Sequence, residues 1–231
     1  SFDFVRAGQS SINGVLCTPG ALSAYRREAV MPILEQWLNQ TFLGRAANIG
    51  EDRAMTNMIL AQGYHTRYQQ NAVVITEVPI RYRNLYKMLL RWARSNVRET
   101  LMLSRFAFRN IRPEGGMAGT RVNLILSWIT LTHGQWLLLT TLFWALQNPI
   151  LYSWNILGGA LVGSLLPMTL FWIRRRSSDA ILMPLYNVFW MLCLSWIPIW
   201  ASLTPHNSRW LTRTLPQPRE AALESSTSSA A

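Results

Sequence analysis

LYKMLLRWARSNVRE, residues 85–99, is the stretch around which the rest of the chain is organised. Set at about 100° per residue, Lys87, Arg91, Arg94 and Arg98 line one narrow stripe, and Leu85, Met88, Leu89 and Trp92 fall opposite. The pattern predicts a basic amphipathic helix. Continued past Glu99, it brings Arg105, Arg109 and Arg112 back to the basic stripe and Leu103 and Phe106 to the apolar side. Beside membrane spans such a helix lies at the cytoplasmic interface, with its apolar face in lipid and its arginines at the headgroups. On a soluble protein the same pattern is a solvated charged face.

Composition bears on that choice. Half of the residues are hydrophobic (50%), 11 are tryptophan, and the net charge of +11 is carried almost wholly by arginine. A soluble domain so basic would suggest nucleic acid, but the apolar blocks direct the charge to an anionic membrane surface and away from nucleic acid. Residues 122–146, 150–173 and 181–203 contain no charged side chain. Each exceeds the roughly 20 residues that cross a hydrocarbon core about 30 Å thick, so three transmembrane helices are predicted. Arginines before the first span and Arg174-Arg175-Arg176 between the second and third put both on the cytoplasmic side. The uncharged Gln147-Asn148-Pro149 link and the C-terminus then lie outside, although Arg209, Arg213 and Arg219 argue mildly against that end. With only Cys17 and Cys193, neither a disulfide framework nor a cysteine-based zinc site is on offer.

Working outward, residues 14–27 read as a strand, a tight turn at Pro19-Gly20 and a helix start. Residues 29–42 read as a helix burying Ile33, Leu34, Trp37 and Leu38, with Pro32 in its first turn. Gly50-Glu51-Asp52-Arg53 opens a helix that Gly63 closes; acidic residues there satisfy orphan N–H groups and favour the helix dipole. Residues 64–76 suggest two short strands across a polar turn at 69–71, the second being Val73-Val74-Ile75-Thr76, and Pro79 discourages its continuation. His65 reads as a surface histidine, because no second metal ligand stands at a fitting spacing. PEGGMAG, residues 113–119, reads as a helix break and linker, and the ESSTSSAA tail as disordered. Ser1-Phe2-Asp3-Phe4 reads as the middle of a folded domain, not as a start.

Arg91-Trp92, with Ala93-Arg94-Ser95 and Arg98-Glu99 behind it, resembles the end of the Q-x-x-R-W signature of membrane-embedded family 2 glycosyltransferases. Within that family the chain is similar to the branch of hyaluronan synthases, chitin synthases and the rhizobial chitooligosaccharide synthase NodC. The likeness extends, in order, over Cys17-Thr18-Pro19-Gly20-Ala21-Leu22-Ser23-Ala24-Tyr25-Arg26-Arg27, Gly50-Glu51-Asp52-Arg53 with Thr56, Thr76-Glu77-Val78-Pro79, and Arg91-Trp92. The position of the signature glutamine is Met88, whose thioether cannot supply an amide's hydrogen bonds.

The resemblance implies a fold and a chemistry. Residues 1–82 would be the acceptor side of an α/β, GT-A type, Rossmann-like catalytic domain. Residues 83–119 would be an interfacial helix and linker, 120–204 a three-helix membrane region and 205–231 a polar tail. The implied reaction is inverting transfer from a UDP-sugar to a growing glycan at the cytoplasmic face of the inner or plasma membrane. Asp52 would be the general base, Arg53 and Arg91 would meet the diphosphate, and Trp92, Gly20 and Tyr25 would contact the acceptor. The family's metal, Mg²⁺ or Mn²⁺, is held by a D-x-D motif. None can be written from Asp3, Asp52 and Asp179, so the donor and metal half is expected to be missing, the chain being a truncated reading frame, a partial sequence or one half of a split enzyme with a separate N-terminal donor-binding half, and the chain alone is expected to be inactive. Asn123, His133, Gln135 and Asn187 either line a glycan path or hold helices together, and Pro167, Pro184 and Pro198 are candidate kinks. Two other readings stand beside this one. One is a non-processive transferase acting on a lipid-linked acceptor; the other is an inactive membrane fragment or partner subunit.

Overall fold

The computed structural model describes residues 2–112 and 116–207. In chain order it contains helices α1 (Phe2–Ser11) and α2 (Arg27–Val30), then a 3₁₀ turn (Met31–Ile33) leading into α3 (Leu34–Leu38). Strands β1 (Thr41–Phe42) and β2 (Arg45–Ala46) form an antiparallel pair, and helices α4 (Glu51–Ala61) and α5 (Tyr82–Ser104) follow. The membrane-like part comprises α6 (Ala118–Gln147), α7 (Pro149–Arg175), a 3₁₀ turn (Ser178–Leu182), α8 (Met183–Phe189), a π-helical segment (Trp190–Leu194) and α9 (Trp196–Leu203). The tail from residue 208, and Pro113, Glu114 and Gly115 of the expected linker, lie outside the described residues.

The central element is α5, and three different surfaces of it are covered. Near its start, Leu90 joins Leu194, Ile197 and Ala201, with Leu85, Tyr86 and Leu89 packed alongside. Near its end, Leu103 and the following Ala107 meet Leu16, Leu60 and Leu124 from the 14–17 segment, α4 and α6. Between these two apolar clusters its polar residues face α4. A third cluster, Ala29, Ile33, Met55 and Ile59, fixes α2 and the 3₁₀ turn against α4.

Several expectations change at this level. Part of the apolar face of α5, at Leu85, Leu89 and Leu90, packs on the π-helical segment and α9, while Trp92 on that face is exposed. Arg94 and Arg98 are buried, with Arg94 Nε donating to Thr204 Oγ1 at 3.0 Å. Among the described residues the only ladder pairs Thr41 with Ala46 and Phe42 with Arg45, so the α/β, Rossmann-like expectation is not carried by this chain's own strands. Residues 73–80 form neither helix nor ladder with any other described segment, and Ile75 and Ile80 are almost wholly exposed. β-Branched residues favour an extended backbone, yet a strand needs a neighbour to accept its hydrogen bonds. The helix expected over 29–42 stops at Leu38, leaving Leu38 exposed and giving Thr41 and Phe42 to the ladder.

Where three spans were expected, one helix, Pro149–Ile173, is long and apolar enough to cross a membrane, or two if the pair Ser178–Leu194 and Trp196–Leu203, bent by 42°, is one span. Only 11% of the apolar window of the first is buried within the protein, whereas a soluble protein's core helix is covered. At 30 residues, about 45 Å, α6 is longer still. Its apolar run is diluted by Asn123, His133 and Gln135. Asn123 Nδ2 donates to the Gly14 carbonyl at 2.9 Å, and Gln135 Nε2 to Ser202 Oγ at 2.6 Å. A Cβ at Gly119 would overlap the Ile12 carbonyl, and one at Gly14 would come within 2.5 Å of Asn123 and of the Gly119 carbonyl; the backbones touch there. The bend falls at Ser195, just before Pro198, which cannot donate to the preceding turn. Tyr82 Oη at 2.8 Å and Trp196 Nε1 at 3.0 Å donate to the Cys193 carbonyl beside the π segment. Helix α7 runs unbroken through Pro167.

Candidate active site

Residues 49–53 make the turn that presents Asp52. Gly50 is left-handed, at φ 69° and ψ 34°, and supplies no side-chain cap to α4. Glu51 and Asp52 therefore occupy the first helical turn, where the dipole favours negative charge. The two carboxylate oxygens of Asp52 do different things. Oδ1 accepts the Arg53 N–H at 2.8 Å, the helix-start role that residue type alone suggests. Oδ2 faces residues 17–20, at 3.4 Å from the Gly20 N–H and 3.7 Å from the Cys17 thiol. Both contacts are long, so this oxygen retains capacity to accept a stronger hydrogen bond.

Cys17 is held as a thiol. Burial, and next the Asp52 charge, push its pKa from 9.0 up to about 11, against the opposing pull of Arg6 and Arg53. At neutral pH it adds no negative charge beside Asp52. A Cβ on Gly20 would lie 4.0 Å from the Asp52 Cβ, so packing does not require a glycine there.

A chain of hydroxyls ties Tyr25 to α4. Thr56 Oγ1 donates to the Asp52 carbonyl at 2.8 Å and accepts the Thr18 N–H at 3.0 Å. Its one proton is thereby committed, so in the 2.7 Å contact between the threonines Thr18 is the donor. Thr18 in turn accepts from Tyr25 Oη at 2.7 Å. The phenol oxygen, on a ring 38% exposed, is left as an outward-facing acceptor.

Arg53 does not point freely into the site. Its Nη1 donates to Asn96 Oδ1 and its Nη2 to Thr100 Oγ1 at 3.0 Å, both on α5. Burial lowers its pKa, opposed by the charges of Cys17, Glu99 and Asp52. Arg53, Asn96 and Cys17 wall a cavity of about 350 Å³, with Arg6 and Gln9 of α1 and Ser127 of α6 completing it. Trp92, one helical turn before Asn96 on the same face, is 54% exposed. Arg91 is half-buried and falls with Arg94 and Arg98 on the adjoining face. Met88, at the signature-glutamine position, is half-buried one turn earlier.

Asp52, Gly20, Tyr25 and Arg53 thus come together around the start of α4, and Trp92 stands one turn along the helix that holds Arg53. Sequence reasoning missed Cys17, Thr18 and Asn96 as partners of that group. The signal for Thr56 was its position one turn after Asp52, and for Asn96 and Thr100 their spacing of four and eight from Trp92. Among the described residues no three His, Cys, Asp or Glu side chains converge on a point that would hold a metal ion. These residues do not fit the divalent ion that the resemblance implies.

No family model matches the chain. It is 32% identical over 215 residues to an N-acetylglucosaminyltransferase of Azorhizobium caulinodans, covering 90% of this chain and 51% of that protein. It is 30% identical over 217 residues to hyaluronan synthase 3 of Xenopus laevis, covering 92% of this chain and 36% of that one. An N-acetylglucosaminyltransferase of Rhizobium sp. (strain N33) is 38% identical over 100 residues, covering 43% of this chain and 22% of that protein. The chain therefore spans about half the length of the first relative, and less of the others. With similarity to the first two over nine-tenths of its length, the chain belongs to the family 2 glycosyltransferases of the hyaluronan synthase and NodC-like type.

Proposed function

We propose that the chain carries the acceptor side and the membrane region of an inverting glycosyltransferase that extends a glycan from a UDP-sugar at the cytoplasmic membrane face. The observation that carries this is Asp52 Oδ2, aimed at the Cys17–Gly20 loop and holding only long contacts at 3.4 and 3.7 Å. An acceptor hydroxyl attacks the anomeric carbon while the bond from that carbon to the UDP oxygen breaks. Its proton passes to Asp52, and the configuration inverts because a single displacement occurs on the face opposite the leaving group. The Cys17 thiol and the Gly20 N–H face that carboxylate without placing a charge beside it.

Trp92 offers an exposed aromatic face on which the CH face of a sugar stacks, and Tyr25 offers its phenol oxygen to an acceptor hydroxyl. The resemblance assigns the diphosphate contact to Arg91 and Arg53, and in this structure both terminal nitrogens of Arg53 are engaged by Asn96 and Thr100. We place α6, α7 and the bent α8–α9 pair across the membrane, with residues 2–112 and the 174–176 arginines on the cytoplasmic side. The exposed apolar segment 73–80 supports a protein partner: polypeptide equivalent to the part of the relatives outside the match would supply a neighbouring strand and the donor site.

The test is incorporation of labelled UDP-N-acetylglucosamine and UDP-glucose by membranes containing the chain, alone and co-expressed with that additional polypeptide. Asp52→Asn should lower transfer by about 10²–10⁴-fold while leaving expression and insertion intact. Normal turnover by the Asn variant would remove Asp52 from the role of base.

A further inference from the structure

The contact between α4 and α5 does more than bury apolar surface. Asp52 is bracketed by residues that α5 grips. On one side a Cβ at Gly50 would overlap Ser95 Oγ and come within 2.5 Å of Ser95 Cβ, so α5 is seated directly on the left-handed turn. Beside it the Arg98 side chain, 2% exposed, donates from Nη2 to the Ile49 carbonyl and from Nε to Glu99 Oε1 at 2.8 Å. On the other side Arg53 is held by Asn96 and Thr100, and Asn57 Nδ2 donates at 2.9 Å to both Glu99 Oε2 and the Glu99 carbonyl. The hydrogen bonds of the Asp52 carboxylate itself go to Cys17, Gly20 and the Arg53 N–H, none of them on α5.

Only a guanidinium serves both contacts of Arg98. Its planar fork reaches a carboxylate and a backbone carbonyl at once, and Glu99 matches its charge, so it can be buried as a directional donor. Trp92 stands six residues earlier on the same continuous helix, about 9 Å along its axis.

We infer that Arg98, with Ser95, is a positioning residue: through the Ile49 carbonyl and the Gly50 turn it sets where the Asp52 carboxylate points relative to Cys17 and to Trp92. The catalytic meaning rests on Asp52 being the base; the geometric claim does not.

The test uses Cys17 as a reporter in the full chain with Cys193→Ser, which leaves it the sole thiol. The charged groups facing Cys17 are Asp52, Arg6 and Arg53. The pH midpoint of its alkylation is measured because a change of access alone alters the rate and leaves the midpoint in place. Asp52→Asn should lower the midpoint by about half a pH unit or more. Arg98→Gln should lower it in the same direction, and Arg98→Lys should fall between. Gly50→Ala, which leaves the buried Arg98–Glu99 pair intact, should match Arg98→Gln and decides the matter if that variant does not fold. The inference is overturned if Asp52→Asn leaves the midpoint unmoved, or moves it while Arg98→Gln and Gly50→Ala do not. In active membranes Arg98→Gln should reduce kcat by about 10–100-fold with the donor KM unchanged, and Arg98→Lys should restore part of it. Transfer that survives Asp52→Asn, with the midpoint shifts present, would sink the base assignment and leave the positioning geometry standing.

Discussion

Replacing Gly50 by alanine probes the junction on which the site depends, and Gly44 provides an internal control. Both glycines are left-handed, at φ 69° and φ 74°. An L-residue in that conformation costs about 1–2 kcal/mol wherever it occurs. They differ in surroundings. A Cβ at Gly44 meets nothing within 4 Å, whereas one at Gly50 overlaps Ser95 Oγ and comes to 2.5 Å from Ser95 Cβ. Relieving that contact requires α5 to retreat by about 1 Å, since carbon atoms settle at about 3.5–4.0 Å. Overpacking of this kind costs about 1–3 kcal/mol. Gly44→Ala should therefore lose about 1–2 kcal/mol and Gly50→Ala about 2–5. For a chain of 231 residues these correspond to falls in Tm of roughly 2–8 °C and 4–20 °C. Thermal unfolding of the detergent-solubilised chain, read by tryptophan fluorescence, gives the comparison. A Gly50→Ala, Ser95→Gly double variant should recover about 1–3 kcal/mol of coupling in the mutant cycle. Equal losses at the two glycines, with no coupling to Ser95, would show that α5 does not sit on the turn.

Two further outcomes follow from the packing and the electrostatics. The Cys17 thiol is pushed from 9.0 to about 11 in the folded chain, so its contribution to stability is full below pH 9 and is lost as pH rises to about 11, where the unfolded chain has already ionised. The urea midpoint of the parent should therefore fall relative to Cys17→Ala across that window, by the equivalent of about 2–3 kcal/mol, and parallel profiles would contradict the raised thiol. Leu194 is fully buried between α5 and α9, and Leu194→Ala should cost about 2–5 kcal/mol. Tryptic cleavage at Lys87 and Arg91, both half-buried in α5, should then accelerate, and an unchanged rate would mean that the α5–α9 contact carries little stability.

The sequence by itself determined whatever depends on near neighbours along the chain. Period and punctuation placed α5, the start of α4 at Glu51, its end before Gly63, and a long apolar helix through residues 150–173. The signature blocks carried the family and singled out Asp52. Tertiary structure decided what each face meets. Helical periodicity placed Arg94 and Arg98 on one stripe but could not say that a hydroxyl and a backbone carbonyl, not lipid headgroups, lie opposite them. Residues 73–76 have the composition of a strand, but a ladder requires a partner, and the described residues provide none. Cys17 and Asp52 are 35 residues apart, and Arg53 and Asn96 are 43 apart. Asn123 and Gln135 dilute an apolar helix in one dimension and bond to Gly14 and Ser202 in three. Local preference is written at intervals of two, three or four residues, whereas the pairing of distant polar groups is set by which surfaces bury together, and that is a property of the folded chain.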